Sequence, residues 1–341
     1  MKRELYSIAL LALSLGLGGC VKESWEDCFP PIEPRRDIEE AMIVRAYDNE
    51  GNDITISDRF FDGTIMVFDA EKKLIRDIRI PREDLGVERV IPLPEGLTAG
   101  DVVSIAAWGN IRANMFMLPY NMGDDMSRPF VALAPDTSMP HHMLSPGDVF
   151  YGAREFTVGE SDSQYDEVTI DGSTIKIVHN FEIRPLNAHL DITVRGLPAG
   201  ADERDYYFRL RNQSSGYTLG GTPFENPTAP AEIHKEGMFN MANELVSAEP
   251  YQLVPSLIED GVERFPMMIE VMQSVGDMDH GDDDSDISLA GIVMDDIHDD
   301  PIELHTGMTT HVLIELGEPG EAQVQVKVLP WGEMYQWSEW E

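Results

Sequence analysis

From residue 41 onward the chain is built of short apolar stretches separated by turn residues. Val324, Val326 and Val328 alternate with Gln325 and Lys327, a period of two that buries one strand face and leaves the other wet. The same reading places strands at 41–48, 64–69, 73–80, 88–93 and 102–109. A second set falls at 149–158, 167–171, 174–194, 205–211, 267–275, 309–316 and 322–329. Apolar residues at helical spacing are nearly absent. Many strands punctuated by Gly, Pro and Asp predict an all-β protein of β-sandwiches. The stretch 159–166 lacks apolar pattern and is the expected boundary between an N-terminal sandwich, 37–160, and a C-terminal one, 161–341. Two loops stand out, 114–143 with its Met and Pro and 276–300 with its Asp.

The first residues follow a different pattern. Lys2 and Arg3 precede an apolar run, 7–17, which ends in Leu17-Gly18-Gly19-Cys20. Crossing a bilayer takes roughly 20 apolar residues, so this run predicts a signal peptide, 1–19, rather than a membrane helix. Leu-Gly-Gly-Cys resembles a bacterial lipobox, which implies acylation of Cys20. Two or three acyl chains, at about 0.8 kcal/mol per buried CH₂, hold a protein at a bilayer. Val21 follows the cysteine where inner-membrane lipoproteins have Asp, so delivery to the outer membrane is expected. Lys22-Glu23 and Glu26-Asp27 loosely resemble an acidic surface-export signal of Bacteroidetes lipoproteins. Residues 20–36 read as a tether stiffened by Pro30, Pro31 and Pro34, and sixteen extended residues after Cys20 reach at most ~55 Å.

Charge narrows the partners. The 341 residues carry 25 Lys and Arg against 62 Asp and Glu, a formal net charge of −37. Removing residues 1–19 leaves 23 basic and 61 acidic side chains. Such a surface repels nucleic acid and anionic lipid headgroups, so no nucleic-acid partner is expected. Two cysteines close one bridge at most, which excludes a disulfide-stapled scaffold. Acylated Cys20 would leave Cys28 without a partner in the chain.

Several segments together resemble the Bacteroidales fimbrillin superfamily, in particular its FimB-like fimbrial anchor and accessory subunits. They are Cys20 with Cys28-Phe29-Pro30-Pro31, then Gly63-Thr64-Ile65-Met66-Val67-Phe68-Asp69, Leu97-Thr98-Ala99-Gly100 and Ala106-Ala107-Trp108-Gly109-Asn110. Phe150-Tyr151-Gly152, Arg184-Pro185-Leu186 and Val328-Leu329-Pro330-Trp331 follow in the same order. Arg184-Pro185-Leu186 interrupts a strand where an unbroken one is expected, and the Asp-rich loop is long. The resemblance implies two transthyretin-like β-sandwich domains in tandem after the lipidated tether. It implies an outer-membrane protein at the cell surface, held by acylated Cys20 and joined to other fimbrial subunits by strand exchange for adhesion. Strand exchange suits an all-β protein, because main-chain hydrogen bonds supply the affinity.

The C-terminal stretch 323–341 is the candidate donor, and Trp331, Tyr335, Trp337 and Trp340 are its candidate interface residues. Aromatics of this kind anchor protein interfaces or stack on sugars; hence a second class, a glycan-binding surface lipoprotein of a nutrient-uptake system. Arg36, after Arg35, is a possible maturation cleavage point or simply an exposed basic residue; in an anchor it should stay uncut.

Catalytic and metal chemistry draw little support. There is no Gly-x-Ser-x-Gly elbow, His-Glu-x-x-His pair, phosphate-binding glycine loop or dinucleotide fingerprint. The reading is therefore of a non-enzyme without cofactors. An EF-hand started at Asp277 fails, with Gly281 at its fifth position and Ser288 at its twelfth. Met139-Pro140-His141-His142-Met143 mixes copper-type ligands, yet flexible packing explains its methionines equally well. No metal site is expected.

Overall fold

The computed structural model describes residues 37–337 except 58, 91–96, 113–114, 139–141, 172, 213, 226–230, 257–266, 275–285, 318–321, 331–332, 334 and 336. Residues 1–39 with 169–176 make one compact unit, and 40–168 with 177–341 make the other. In the first unit the described residues are 37–39, part of one strand, and a hairpin tip at 169–171 and 173–176. The second holds both cores.

The described residues form strands and two single 3₁₀ turns, with no α-helix. The strands are β1 (Asp37–Ala46), β2 (Asp62–Phe68), β3 (Leu74–Pro81), β4 (Arg89–Val90), β5 (Val102–Gly109), β6 (Met115–Met117), β7 (Pro129–Leu133), β8 (Phe150–Thr157), β9 (Asp166–Asp171) and β10 (Thr174–Pro185). Then come β11 (Ala188–Arg195), β12 (Tyr206–Asn212), β13 (Ser214–Thr218), β14 (Pro223–Glu225), β15 (Ala231–Phe239) and β16 (Leu245–Ser247). The last are β17 (Tyr251–Leu253), β18 (Met268–Gln273), β19 (Ile287–Ser288), β20 (Met308–Leu316) and β21 (Ala322–Pro330).

The first sheet has the order β3-β2-β5-β8-β10-β1-β4, with β9 on β10. The second has the order β19-β18-β12-β15-β16-β11-β20-β21, with β17 on β11. Both curl, giving the two β-sandwiches expected. In the second sheet β11 and β20 run parallel from His189↔Thr309 to Arg195↔Glu315. A third sheet, β14-β13-β7-β6, joins strands from the two halves of the chain. The segment 114–143, expected as a loop, contributes β6 and β7 to it.

Two strands of the first sheet are buried on both faces, which explains their near-continuous apolar runs. On β2, Ile65 and Val67 face a core enclosed by the first sheet, while Met66 and Phe68 face the larger core shared with the second. On β5, Ile105 and Ala107 go to the first core and Ala106 and Trp108 to the second. Alternation therefore feeds two cores from one strand.

The stretch 174–194, expected as a single strand, is two. Pro185 ends β10, because a proline has no N–H to continue the ladder. Asn187 then turns the chain into the second sheet, fully buried and tied on both sides. Its Nδ2 donates to the Gly147 carbonyl at 2.5 Å, and its Oδ1 accepts from Tyr217 Oη at 2.9 Å. The stretch 159–166 is pinned rather than loose. Glu40 accepts from the Gly159 amide at 2.7 Å, and Arg154 grips Asp166 through two bonds of 2.6 and 2.9 Å.

Trp108 sits where these parts meet. It is wholly buried; its indole N–H donates to the Leu219 carbonyl at 3.2 Å. Its ring lies 5.4 Å from Phe130, 4.7 Å from Tyr151 and 6.2 Å from Tyr217. Tyr151 reaches the same turn and donates to the Gly220 carbonyl at 2.5 Å. Two glycines permit this closeness. A Cβ on Gly216 would lie 2.0 Å from the Val131 carbonyl oxygen of β7. Gly221, at φ +81°, would put a Cβ 2.5 Å from the Tyr151 ring, and that backbone angle itself favours glycine.

Truncating a buried Trp costs about 3–5 kcal/mol. Trp108→Ala should therefore lower the urea midpoint sharply, and the near-ultraviolet signal of both halves should be lost together. An unchanged midpoint would show that the ring does not join them.

Candidate functional site

The end of the second sheet combines an open strand edge, an aromatic pair and an acidic groove. β21 pairs with β20 along its whole length, from Leu316↔Ala322 to Met308↔Pro330. It is the last strand of that sheet. Among the described residues, the backbone bond on its outer side runs from the Ile297 amide to the Val324 carbonyl at 2.9 Å. Beside it lies a cavity of about 760 Å³ lined in part by Val293, Asp295, Asp296, Glu315, Gln323 and Val324. Acidic side chains thus border the last strand of the sheet, the place where edge pairing with another chain occurs.

Beyond Pro330, Tyr335 and Trp337 pack edge to face, with ring centres 4.8 Å apart. Tyr335 is 39% exposed and lies 5.9 Å from the His311 ring of β20. An Arg195 N–H on β11 donates to the Trp337 carbonyl at 3.4 Å. The same guanidinium bonds Glu244 at 2.5 Å and lies 3.5 Å from Glu315, so the side chain that receives the chain end is itself held from two sides.

Under this face Asp191 links three strands. It lies 2.9 Å from His311 Nδ1 and accepts from Ser247 Oγ at 2.5 Å. Ser247 in turn accepts from the Ile192 amide at 3.0 Å. Serine, aspartate and histidine occur together, but the hydroxyl bonds the carboxylate and not the imidazole. A nucleophile needs its base within hydrogen-bond reach, so this arrangement ties β11, β16 and β20 together.

A second cluster lies on β15. Glu232 and His234 are two residues apart, so their side chains share one face of the strand. His142, from the segment before β8, stacks on His234 with ring centres 3.7 Å apart. Glu232 Oε1 lies 3.1 Å from His234 Nε2 and 3.5 Å from His142 Nε2. Arg211, directly opposite on β12, donates to Glu232 Oε2 at 2.6 Å. Burial works against ionising Glu232, but the His234 and Arg211 hydrogen bonds outweigh it and hold the carboxyl down at about 2. His142 lies within the Met- and His-containing motif; Glu232 and His234 carried no signal in the sequence beyond alternation in a charged stretch.

Of the sequence candidates, Tyr335 and Trp337 come together. Cys20, Arg36, Trp331 and Trp340 lie outside the described residues, as do Cys28, His141 and the Asp277–Asp284 part of the acidic loop. Residues 323–330 of the candidate donor stretch already form β21, so only the part beyond Pro330 is left for donation. In the described part of the acidic loop, Asp286 accepts from Tyr207 Oη at 2.9 Å. Asp296 accepts from the amides of His298 and Asp300, at 2.7 and 3.1 Å, and shapes its own turn.

A sequence model of the fimbrillin-A associated anchor proteins Mfa1 and Mfa2 matches residues 42–337, nearly all of the described structure. The chain belongs to this family. It is 28% identical over 152 residues to the major fimbrium anchoring subunit FimB of Porphyromonas gingivalis, covering 44% of this chain and 45% of that protein. The aligned part thus spans under half the length of that relative. The fold is similar to the fimbrial anchor protein Mfa2 of P. gingivalis at a TM-score of 0.53 and 14% identity, covering 86% of this chain and 98% of the other. It is also similar to a candidate polysaccharide-binding protein of Bacteroides thetaiotaomicron at a TM-score of 0.50 and 13% identity, covering 87% and 99%. The family is described by its fimbrial anchor proteins, and the all-β fold is the one read from the strand pattern.

His189, at the start of β11, supplies a pH test of the junction between sheets. It pairs with Gln252, whose amide donates to Asp148 at 2.8 Å, and Arg59 lies 3.3 Å from that carboxylate. Burial pushes the imidazole down, Asp148 pulls it up and Arg59 pushes it down again, to about 4. The folded state therefore holds His189 neutral where the unfolded chain, near 6.5, takes up a proton. Its contribution is intact above pH 6.5 and is lost as pH falls towards 4. His189→Gln should narrow the difference in urea midpoint between pH 7 and pH 4.5. An equal loss in both proteins would remove His189 from the acid response.

Proposed function

We propose that the chain is an outer-membrane lipoprotein, acylated at Cys20 and held at the cell surface, that anchors a fimbrium. The family match over residues 42–337 carries this reading. The lipobox-like Leu17-Gly18-Gly19-Cys20 stands before it, separated by a tether long enough to clear the headgroups. Among the described residues no helix is long and apolar enough to cross a membrane, and acyl chains would supply the attachment. The protein's work is then mechanical rather than catalytic. The next subunit would join by strand complementation, with β21 as the last strand of its sheet and the segment beyond Pro330 as the donor. Arg36 stays uncut in this reading, because cleavage there would release the anchor.

The exposed Tyr335 ring against Trp337 supports a second reading, glycan binding at the same end of the sheet, since aromatic faces stack on sugars. Loss of polysaccharide binding in Trp337→Ala with fimbriae intact would favour it.

The anchor reading is tested at Cys20. Cys20→Ala should abolish incorporation of labelled palmitate, move the protein from the outer-membrane to the soluble fraction and shed fimbriae into the medium. A Cys20→Ala protein that keeps its label and its membrane fraction would overturn it, and a mature N-terminus at Asp37 would make the chain a stalk or tip subunit.

A further inference from the structure

We propose that His142, Glu232 and His234 form a binding site for a zinc-class divalent cation, clipping His142 and the chain that follows it onto β15. The three donor atoms lie within 4.8 Å of one another. Two imidazoles and one carboxylate with a fourth position for water is an established ligand set for Zn²⁺. Bonds of about 2.0–2.1 Å in a tetrahedron require donor-to-donor separations of about 3.3–3.4 Å. The two edges to Glu232 Oε1, 3.1 Å from His234 and 3.5 Å from His142, bracket that value; the stacked imidazoles, with ring centres 3.7 Å apart, swing apart to about 5 Å when both ligate one tetrahedral ion.

The surroundings hold these donors in place. Both imidazoles are nearly buried, at 9% and 10% side-chain exposure, so little water competes for them. Arg211 occupies Glu232 Oε2 at 2.6 Å and leaves Oε1 turned to the histidines, as outer-shell partners of metal carboxylates do. The His142 backbone is fixed from both sides. Its carbonyl accepts from the Asp136 amide at 2.8 Å, and the next amide, Met143, donates to the Glu232 carbonyl at 2.8 Å. The Tyr207 ring lies 4.9 Å from the His234 ring. The ligands thus come from a segment of the N-terminal half and a strand of the C-terminal half. A cation would crosslink them in addition to the backbone bonds, the ring stacking and the His142–Glu232 contact.

The test uses the full secreted chain without a histidine tag, stripped with chelator and titrated with ZnCl₂ by calorimetry in excess CaCl₂, which saturates the acidic surface. One Zn²⁺ per chain, a raised melting temperature and an X-ray absorption spectrum with two imidazoles are expected. His142→Asn and Glu232→Gln should each weaken binding at least 10-fold, with circular dichroism of the metal-free variants unchanged. Glu232→Gln keeps the shape of the side chain and so guards against misfolding. No stoichiometric binding, or binding unaltered in both variants, would overturn the site.

Discussion

The structure depends on one side chain being shared. Trp108 leaves β5 on the face opposite Ile105 and Ala107, so the strand that closes the first sheet's core also drives a ring into the second core. Its single polar atom then needs a partner, because an unpaired N–H in that interior would cost more than the hydrogen bond contributes. The Leu219 carbonyl supplies it, which fixes the β13–β14 turn against β5. That turn in turn sets the third sheet, since Gly216 must lie against Val131 without a side chain between them. Two sandwiches in sequence are thereby joined through a strand that feeds both cores.

This geometry explains which parts of the fold were legible. Strands such as β2, β5, β20 and β21 carry long apolar or alternating runs, and pattern alone finds them. β15 was missed although it has nine residues. Its inward positions, Ala231 and Ile233, are interleaved with Glu232, His234, Lys235 and Glu236, of which Glu232 meets Arg211 on β12 and Lys235 lies over the Tyr251 ring of β17. β6, β7, β13 and β14 are short, and only the β7–β13 pairing joins the two halves of the chain, so local pattern marks neither the strands nor their sheet. The division of 174–194 depends on Pro185 together with the burial of Asn187. The proline is visible in sequence, whereas the partner that buries the amide, Tyr217, is thirty residues away.

The same distinction separates the candidate sites. Tyr335 and Trp337 were legible because aromatics near a chain end are conspicuous, and the structure puts them together on one sheet. The His142 cluster was half legible. The histidine stood out, but a ligand set is a property of position in space, and Glu232 and His234 lie ninety residues further along. Glutamate in a chain with 62 acidic residues carries no information by itself. It gains meaning only when Arg211 is found opposite it and two imidazoles on its other oxygen.

For a member of a fimbrial anchor family the relevant stress is force, and survival under force is governed by the rate of unfolding rather than by equilibrium stability. Interactions formed late in folding slow unfolding most. Contacts distant in sequence are the costly ones to close, and here the junction is built almost wholly of them: Trp108 with Leu219, Asn187 with Tyr217, Met143 with Glu232. The parallel pair β11–β20 spans more than a hundred residues as well. Such a topology folds slowly. The features that make the fold hard to read from local sequence are thus the long-range contacts that join its two sandwiches.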